Sequence, residues 1–170
     1  MKMLVKEVPI KDINEVIDLF DYCINNANGL ASPYDDGEIE NYLKTKRLYG
    51  AYYYEKLIGV GALLDINYDP IPIEKVFLRI IHKKTAMLVR YFVYPKYRNL
   101  GVMTKIQDRL INLANQFKYE VVIANAFSHN IASIKVIEKR LKLSYNLNVL
   151  GDDTLIFMLD LEWKVINNLN

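Results

Sequence analysis

The feature that most constrains the fold is a strand–helix–strand unit within residues 86 to 126. Ala86–Val93 and Glu120–Ala126 are apolar runs of strand length. Between them, Val102–Phe117 carries apolar residues at alternating steps of three and four, which predicts an amphipathic helix. A strand–helix–strand connection of this kind predicts two parallel strands joined by a right-handed crossover. The apolar positions of the predicted helix are Met103, Ile106, Leu110, Leu113 and Phe117.

The segments around this unit predict a mixed α/β fold, an α+β arrangement with a mostly antiparallel sheet and helices on both faces. Short turns at Glu55-Lys56 and Gly151-Asp152-Asp153 predict two hairpins. The character of residues 69–85 and of the tail from Glu162 stays open. The other predicted strands are Met3–Val8, Tyr49–Tyr54, Leu57–Ile66, Leu143–Leu150 and Thr154–Leu161. The other predicted helices are Asp12–Asn26, a second one from the acids near Asp35 to about Lys46, and Asn130–Leu141.

The composition is that of one ordinary domain, since the chain has 170 residues, of which 52% are hydrophobic and 25% charged. We therefore expect residues 1–170 to form a single domain. No apolar run approaches the roughly 20 residues that cross a bilayer. The first residues lack the apolar core of a signal peptide, and one cysteine, Cys23, cannot form an intrachain disulfide. These features predict a cytoplasmic protein with no membrane partner.

The net charge of +2 is too small to indicate a nucleic-acid partner. The distribution of charge is uneven. Residues 1–80 hold 9 basic and 13 acidic residues, a net charge of −4, whereas residues 81–170 hold 13 and 7, a net charge of +6. The second half would favour an anionic partner and the first half a cationic one, although random variation of surface charge explains the difference equally well.

The segment Val93–Met103 joins the end of a predicted strand to the start of a predicted helix. The amides of a helix's first turn have no partner inside the helix, so they form a ready site for an anion. Gly101 would let the backbone come close to a ligand, and Arg98 adds a cation suited to phosphate. The segment therefore predicts a cradle for a phosphate or diphosphate, with an ordinary strand-to-helix loop as the alternative. It fits neither a Walker loop nor the dinucleotide fingerprint, which need further glycines.

The same segment resembles the acetyl-CoA-binding motif of the GNAT family of N-acetyltransferases. In that motif an Arg or Gln is followed by two residues, Gly, one residue and then Gly or Ala. Arg98, Asn99, Leu100, Gly101 and Val102 match it, and Met103 stands at the last, small position. Downstream, Asn130–Lys139 resembles the family's second motif at Asn130, Ser133, Glu138 and Lys139, without its Gly-Phe pair. The predicted element order also resembles that of the family over the whole chain.

The resemblance implies a GNAT-like acyl-CoA N-acyltransferase fold with acetyl-CoA as co-substrate. In such a fold the two parallel strands splay apart, and the pantetheine arm lies in the gap against the backbone of Phe92 and Val93. The diphosphate lies on the amides of Arg98, Asn99, Leu100, Gly101, Val102 and Met103, and the second motif adds Asn130 and Ser133 as cofactor-binding residues. The implied activity is direct transfer of an acetyl group to a primary amine of a small molecule, peptide or protein, without a metal.

The residue that would protonate the departing thiolate stays open. Members of the family often have a tyrosine seven residues after the motif asparagine, but this position holds Ile137, on the apolar stripe of its predicted helix. Tyr145, His129 and Tyr91 are the candidates instead, with ordinary packing or solvent exposure as the alternative for each. The acids Asp35, Asp36, Glu38 and Glu40 lie where the family often has its acceptor site and could attract a cationic amine, or simply face solvent as a helix start.

Three further alternatives remain open from the sequence. The departures at Met103 and Ile137 and the missing Gly-Phe pair leave room for a CoA-binding sensor without catalysis. A toxin-like transferase acting on charged tRNA is a weaker alternative, because the net charge is small. The strands between Leu143 and Leu161 leave a homodimer open.

Overall fold

The computed structural model describes residues 2–66, 80, 82–149 and 152–161. Its regular elements follow the order expected from the sequence, with short 3₁₀ turns at Ile10–Asp12 and Pro95–Tyr97. The helices are α1 (Ile13–Asn25), α2 (Glu38–Lys44), α3 (Val102–Gln116) and α4 (Ile131–Ile137). The strands are β1 (Leu4–Glu7), β2 (Leu48–Tyr53), β3 (Lys56–Asp65), β4 (Thr85–Val93), β5 (Val121–Phe127), β6 (Lys142–Val149) and β7 (Asp152–Asp160).

The described strands form one mixed sheet of seven strands in the order β1-β2-β3-β4-β5-β7-β6. The chain divides into two compact units, one of Met1–Leu63 with Val89–Leu110 and one of Leu64–Leu88 with Ile111–Asn170. The single-domain organisation stays a prediction.

In the first unit, β1, β2 and β3 pair antiparallel, as predicted. The turn between β2 and β3 is Tyr54-Glu55, with φ of 47° and 64°. Two successive left-handed residues twist the chain in the sense that a two-residue hairpin needs. The predicted turn, Glu55-Lys56, was wrong by one residue because Lys56 already pairs with Tyr53.

Helices cover both faces of the sheet in this unit, as the sequence predicts. The ring of Phe92 on β4 packs edge-on against Phe20 of α1, with centroids 4.8 Å apart. The preceding residue, Tyr91, lies with Ile106 of α3 over Gly61 of β3. Because successive side chains of a strand point to opposite faces, α1 and α3 lie on opposite sides of β4.

In the second unit, β4 and β5 pair parallel, which confirms the predicted parallel pair. Their register has four pairs, from Thr85 with Val121 to Leu88 with Ala124, whereas β4 itself runs on to Val93. β7 pairs antiparallel with β5 along the whole of β5 and with β6 on its other side. β6 is irregular between Leu143 and Tyr145, where the register shifts.

Three predicted boundaries were wrong for local reasons. The acids before α2 do not start it, because Gly37 at its N-terminus has a left-handed φ of +79° and the helix begins at Glu38. α4 ends at Ile137 and not at Leu141, since the following amides close tighter turns, such as Arg140 N to Ile137 O at 3.1 Å. Asp152 and Asp153 are strand residues, paired with Val149 and Asn148.

The loop predicted at residues 69–72 and the tail from Glu162 lie outside the described residues, as does the uncertain segment 76–81 apart from Ile80, which is helical.

The close packing at Gly61 gives a test of the fold. A β-carbon there would lie 2.8 Å from Cγ2 of Ile106 and 2.9 Å from the ring of Tyr91. We expect Gly61→Ala to lower the free energy of unfolding by about 1–3 kcal/mol, the usual cost of overpacking a core. Lys56→Ala on the exposed start of β3 is the control and should change it by less than about 0.5 kcal/mol. Equal urea midpoints for Gly61→Ala and the wild type would contradict this packing.

Candidate functional site

The turn between β4 and α3 brings the predicted diphosphate residues to one helix start. After the 3₁₀ turn at Pro95–Tyr97, Asn99 and Gly101 take left-handed φ values of 60° and 73°. The first intrahelical hydrogen bond runs from Lys105 N to Gly101 O, 3.2 Å. The amides of Val102 and Met103 precede that bond, as the first amides of any helix do. The first turn of α3 carries no acidic side chain, so the positive end of the helix is not neutralised from within it.

The turn is open at its glycine. Among the residues that the structure describes, a β-carbon built on Gly101 would meet no heavy atom within 4 Å apart from its chain neighbours. None of those residues fills the turn at this point, so an anion can approach the backbone closely. The left-handed φ and the open space together fit a diphosphate, so the residues present agree with the chemistry that acetyl-CoA would need.

Arg98 is tied back to the end of β4. Its Nε donates a hydrogen bond to the carbonyl oxygen of Val93, 3.2 Å away, although most of the side chain is exposed. This bond fixes where the guanidinium lies and directs its charge to the strand end. A cation held there complements a phosphate group with less loss of side-chain entropy than a mobile one.

The same carbonyl is approached by the thiol of Cys23, which lies 3.9 Å from Val93 O and is buried. Burial raises the pKa of the Cys23 thiol, and the charge of Arg98 offsets only part of that rise. The only cysteine of the chain is therefore a thiol at neutral pH, and it lacks the thiolate character of a nucleophile.

The peptide groups at the end of β4 face two different edges. Tyr94 N donates to Ile58 O on β3, 3.1 Å, and the carbonyl of Phe92 also approaches β3, at Gly59. Because the hydrogen-bonding groups of successive strand residues point to opposite edges, the peptide groups of Val93 point away from β3. Pantetheine was predicted to contact the backbone of both Phe92 and Val93. The peptide groups of Val93 face the edge away from β3, whereas those of Phe92 face β3.

A second cluster lies on β4 at Arg90. Its Nε and Nη2 donate to the two carboxylate oxygens of Glu38, at 2.6 and 2.7 Å, and its Nη1 donates to the carbonyl of Ser32, at 2.9 Å. Both side chains of the pair are mostly buried, with 17% and 16% exposed. Burial alone would raise the pKa of Glu38, but hydrogen bonds from Arg90 and from Asp35 N, with the charge of Arg90, bring it below its usual value.

The cluster changes the interpretation of the acids near α2. Glu38 is bound to Arg90, whereas Asp35 and Asp36 are exposed and Glu40 is half-buried. Sequence reasoning missed the role of Arg90. A single arginine within the otherwise apolar run Ala86–Val93 was the signal for it, because a charge on a buried strand requires a partner.

The second motif lies in the other unit, where it begins α4. Asn130 Oδ1 accepts a hydrogen bond from Ser133 N, 3.1 Å, and so caps the helix. The spacing of these two residues is thus explained by the cap, and their predicted contacts with acetyl-CoA stay predictions. Ile137 is 1% exposed, as its place on an apolar stripe suggests.

The three catalytic candidates lie in different surroundings. His129 is exposed and its ring stacks on Phe127, with centroids 5.6 Å apart and planes 12° from parallel. Tyr145 is half-buried on β6 beside the register shift, opposite Ile156. The hydroxyl of Tyr91 is buried and has no hydrogen-bond partner among the described residues. Burial and Asp108 raise the pKa of Tyr91 well above its usual value.

The part of the chain that the structure describes holds no group of three or more His, Cys, Asp or Glu side chains placed to bind a metal ion. None of its helices combines the length and the apolar character needed to cross a membrane.

Comparison with known proteins points to one family. The model of the acetyltransferase (GNAT) family matches residues 16–142. No curated protein sequence matches the chain. Many solved structures are similar to it.

Three of these structures illustrate the likeness. YncA of Salmonella typhimurium, solved with its cofactor acetyl-CoA, has 15% identity and a TM-score of 0.73, over 95% of both chains. The ribosomal-protein-alanine N-acetyltransferase of Brucella melitensis has 17% identity and a TM-score of 0.73, over 93% of this chain and 99% of its own. The polyamine N-acetyltransferase of Drosophila melanogaster, which forms N-acetylagmatine, has 10% identity and a TM-score of 0.69, over 94% and 100%.

The buried hydroxyl of Tyr91 gives a test of this description. A buried hydroxyl without a partner costs about 1–3 kcal/mol, so Tyr91→Phe should raise the free energy of unfolding by about 1 kcal/mol or more. Tyr52→Phe is the matched control, because the Tyr52 hydroxyl bonds Asp12 Oδ2 at 2.9 Å and its loss should lower stability. Denaturant unfolding measures both. If Tyr91→Phe lost stability as Tyr52→Phe does, the Tyr91 hydroxyl would have a partner.

Proposed function

Because the chain belongs to the GNAT family of acetyltransferases, we propose that it moves the acetyl group of acetyl-CoA directly to a primary amine of a small molecule, a peptide or a protein. As a member of that family it is an acyl-CoA-dependent N-acetyltransferase, and acetyl-CoA is its co-substrate. We propose in addition that the transfer occurs without an acyl-enzyme and that the acceptor is a primary amine.

The observation that carries the proposal is the open, left-handed turn at Gly101 in front of α3. We assign the diphosphate of acetyl-CoA to the amides of this turn and of the helix start, from Arg98 through Asn99, Leu100, Gly101 and Val102 to Met103. The amides donate hydrogen bonds, the helix dipole favours the negative charge, and the tethered Arg98 adds a full positive charge. Met103, at the position where the family has a small residue, contributes its amide.

The pantetheine arm would extend back from this turn along β4. The N–H of Val93 is the favoured backbone partner, since the peptide groups of Val93 face away from β3 and its carbonyl already accepts a hydrogen bond from Arg98. Phe92 would support that edge through its ring, which packs on Phe20. Asn130 and Ser133 remain proposed ligands from the other unit, where Asn130 has its Nδ2 group as a donor beyond the cap that its Oδ1 makes.

In the proposed reaction the amine nitrogen attacks the thioester carbonyl, a C–N bond forms and the C–S bond breaks. The bonding electrons leave with sulfur, which then takes a proton. No acyl-enzyme is needed, and the protonated, buried Cys23 is a poor nucleophile for one. The protein's task is then to hold the two reactants in line and to manage one proton.

We assign the proton donor to Tyr145. Its phenol can donate a proton from a half-buried position, and the irregular register of β6 beside it is the kind of feature that redirects a side chain. Tyr91 is a weaker candidate because its hydroxyl is enclosed. His129, exposed on the loop before α4, is better suited to take a proton from the incoming ammonium group.

Calorimetry with acetyl-CoA tests the cradle. Arg98→Glu reverses a cation at the diphosphate, and Gly101→Trp fills the open turn, so each should weaken binding at least roughly tenfold, the value of one charge-assisted hydrogen bond. Lys44→Glu, the same change of charge at the exposed end of α2, should bind like the wild type. Undiminished binding by both Arg98→Glu and Gly101→Trp would mean that the diphosphate lies elsewhere.

Turnover tests the reaction and its proton donor. Agmatine and a peptide that begins with alanine are suitable acceptors. Both carry a primary amine, and two proteins of similar structure are named for acetylating alanine and for forming N-acetylagmatine. Tyr145→Phe should lower kcat by roughly 100-fold, as the loss of a general acid does, without changing the affinity for acetyl-CoA. Full kcat in Tyr145→Phe would contradict its role. Tight binding of acetyl-CoA without thiol release on a broad amine panel would favour a CoA sensor instead.

A further inference from the structure

The guanidinium of Arg90 connects β4 to the segment that joins α1 to α2. Two of its nitrogens bind both carboxylate oxygens of Glu38, and the third donates to Ser32 O. Glu38 in turn accepts from Asp35 N, 3.1 Å. Glu38 also bonds Tyr42 within α2, whereas the contacts at Ser32 O and Asp35 N reach into residues 32–37, which precede α2. We call these residues the connecting segment.

The connecting segment is also held by α1, but in a different way. The ring of Tyr34 packs edge-on against Phe20, with centroids 5.5 Å apart, and its hydroxyl donates to Asp21 Oδ1 at 2.9 Å. These contacts attach the middle of the segment to a helix face. Arg90 of β4 bonds Ser32 at the start of the segment directly, and it also bonds Glu38, which follows the last residue of the segment.

The backbone at Arg90 is unusual for a strand. Its φ of +56° is in the left-handed region, which costs a residue other than glycine of the order of 1–2 kcal/mol. Such a conformation persists where the surroundings fix it, and such residues cluster at functional sites. Here the surroundings are the fork of hydrogen bonds to Glu38 and Ser32.

Arg90 also lies near the cradle along β4, at a distance that a pantetheine arm could span. It precedes Val93 by three residues, about 10 Å along a strand. Its contacts are with α2 and the connecting segment, and Phe92, two residues further on, contacts α1. An acyl group carried back along β4 from the diphosphate would therefore arrive close to the level of Arg90, where the connecting segment meets the strand.

We propose that Arg90 and Glu38 are positioning residues for the amine acceptor. Together they hold the connecting segment against β4, so that the segment forms one wall of the space in which the amine meets the acetyl group. This inference rests on the proposed function. It differs from a purely stabilising ion pair, because it predicts an effect on the KM of the amine with little effect on acetyl-CoA.

The test compares Arg90→Gln and Glu38→Gln with the wild type by hydrogen–deuterium exchange, calorimetry and kinetics. We expect residues 30–37 to exchange roughly tenfold faster in either variant, the value of one charge-assisted hydrogen bond. The KM of agmatine or of the alanine peptide should rise by about the same factor, with kcat within about twofold and the affinity for acetyl-CoA unchanged. Arg90→Lys should resemble Arg90→Gln, since lysine keeps the charge but lacks the fork.

Two controls separate positioning from general stability. Lys83→Met breaks the more exposed ion pair of Lys83 with Asp160, 3.0 Å, and should change neither the exchange of residues 30–37 nor the KM of the amine. The double variant Arg90→Gln with Glu38→Gln should be no worse than either single variant if the two residues act as one unit.

Unchanged exchange in residues 30–37, or faster exchange spread equally over the whole chain, would overturn the proposal. So would an unchanged KM in variants that still turn over. If the wild type acetylates neither amine, the proposed acceptors are wrong, and the KM comparison is made with an amine from a broad panel that the wild type does acetylate. If the wild type acetylates no amine of the panel, this inference fails together with the proposed function, whereas an unchanged KM in active variants overturns this inference alone. Failure of the proposed function and failure of this inference are therefore distinguishable.

Discussion

The site depends on one local constraint, the left-handed backbone at Gly101 that starts α3 with its first amides exposed to a ligand. A residue with a β-carbon would be strained at the φ of +73° found there. The absence of acids from the first turn of α3 leaves the helix dipole to be neutralised by a bound anion. The bond from Arg98 to Val93 O then adds a fixed cation beside the amides. Three weak features of the sequence thus meet at one helix start, which is where we propose that the diphosphate binds.

β4 organises the rest of the first unit around that turn. Its side chains alternate between α1 and α3, its final peptide groups alternate between β3 and the opposite edge, and Arg90 fixes the segment before α2. A strand used in this way can position a co-substrate and its acceptor together. This agrees with a transferase that works chiefly by holding its reactants in line.

Much of this was predictable from the sequence because it depends on local patterns. The parallel pair followed from the apolar runs around residues 86–126, and the helix start after Gly101 followed from the pattern of Val102–Phe117, whereas the binding of a diphosphate there stays a prediction. Family membership followed from two motifs in the correct order. The boundaries that were wrong, at α2 and α4, were those set by a left-handed glycine and by short 3₁₀-like turns, which leave little trace in the apolar pattern.

The pair of Arg90 and Glu38 was not predictable in the same way. The two residues are 52 positions apart, and each alone is consistent with a solvated charge or a structural pair. The burial of the Tyr91 hydroxyl was not predictable either. It results from the packing of α3 on β3, which leaves the hydroxyl without a partner among the described residues. Contacts between distant segments are fixed by tertiary packing, and the pattern of a single sequence does not reveal them.

The most direct measurement of the central claim is an amide-resolved NMR titration of the protein with acetyl-CoA. If the open helix start holds the diphosphate, the amide signals of Gly101, Val102 and Met103 will shift more than those of the rest of the chain, because their hydrogens bond phosphate oxygens. If acetyl-CoA binds while these three signals stay where they are, the anion is held elsewhere and the account is wrong.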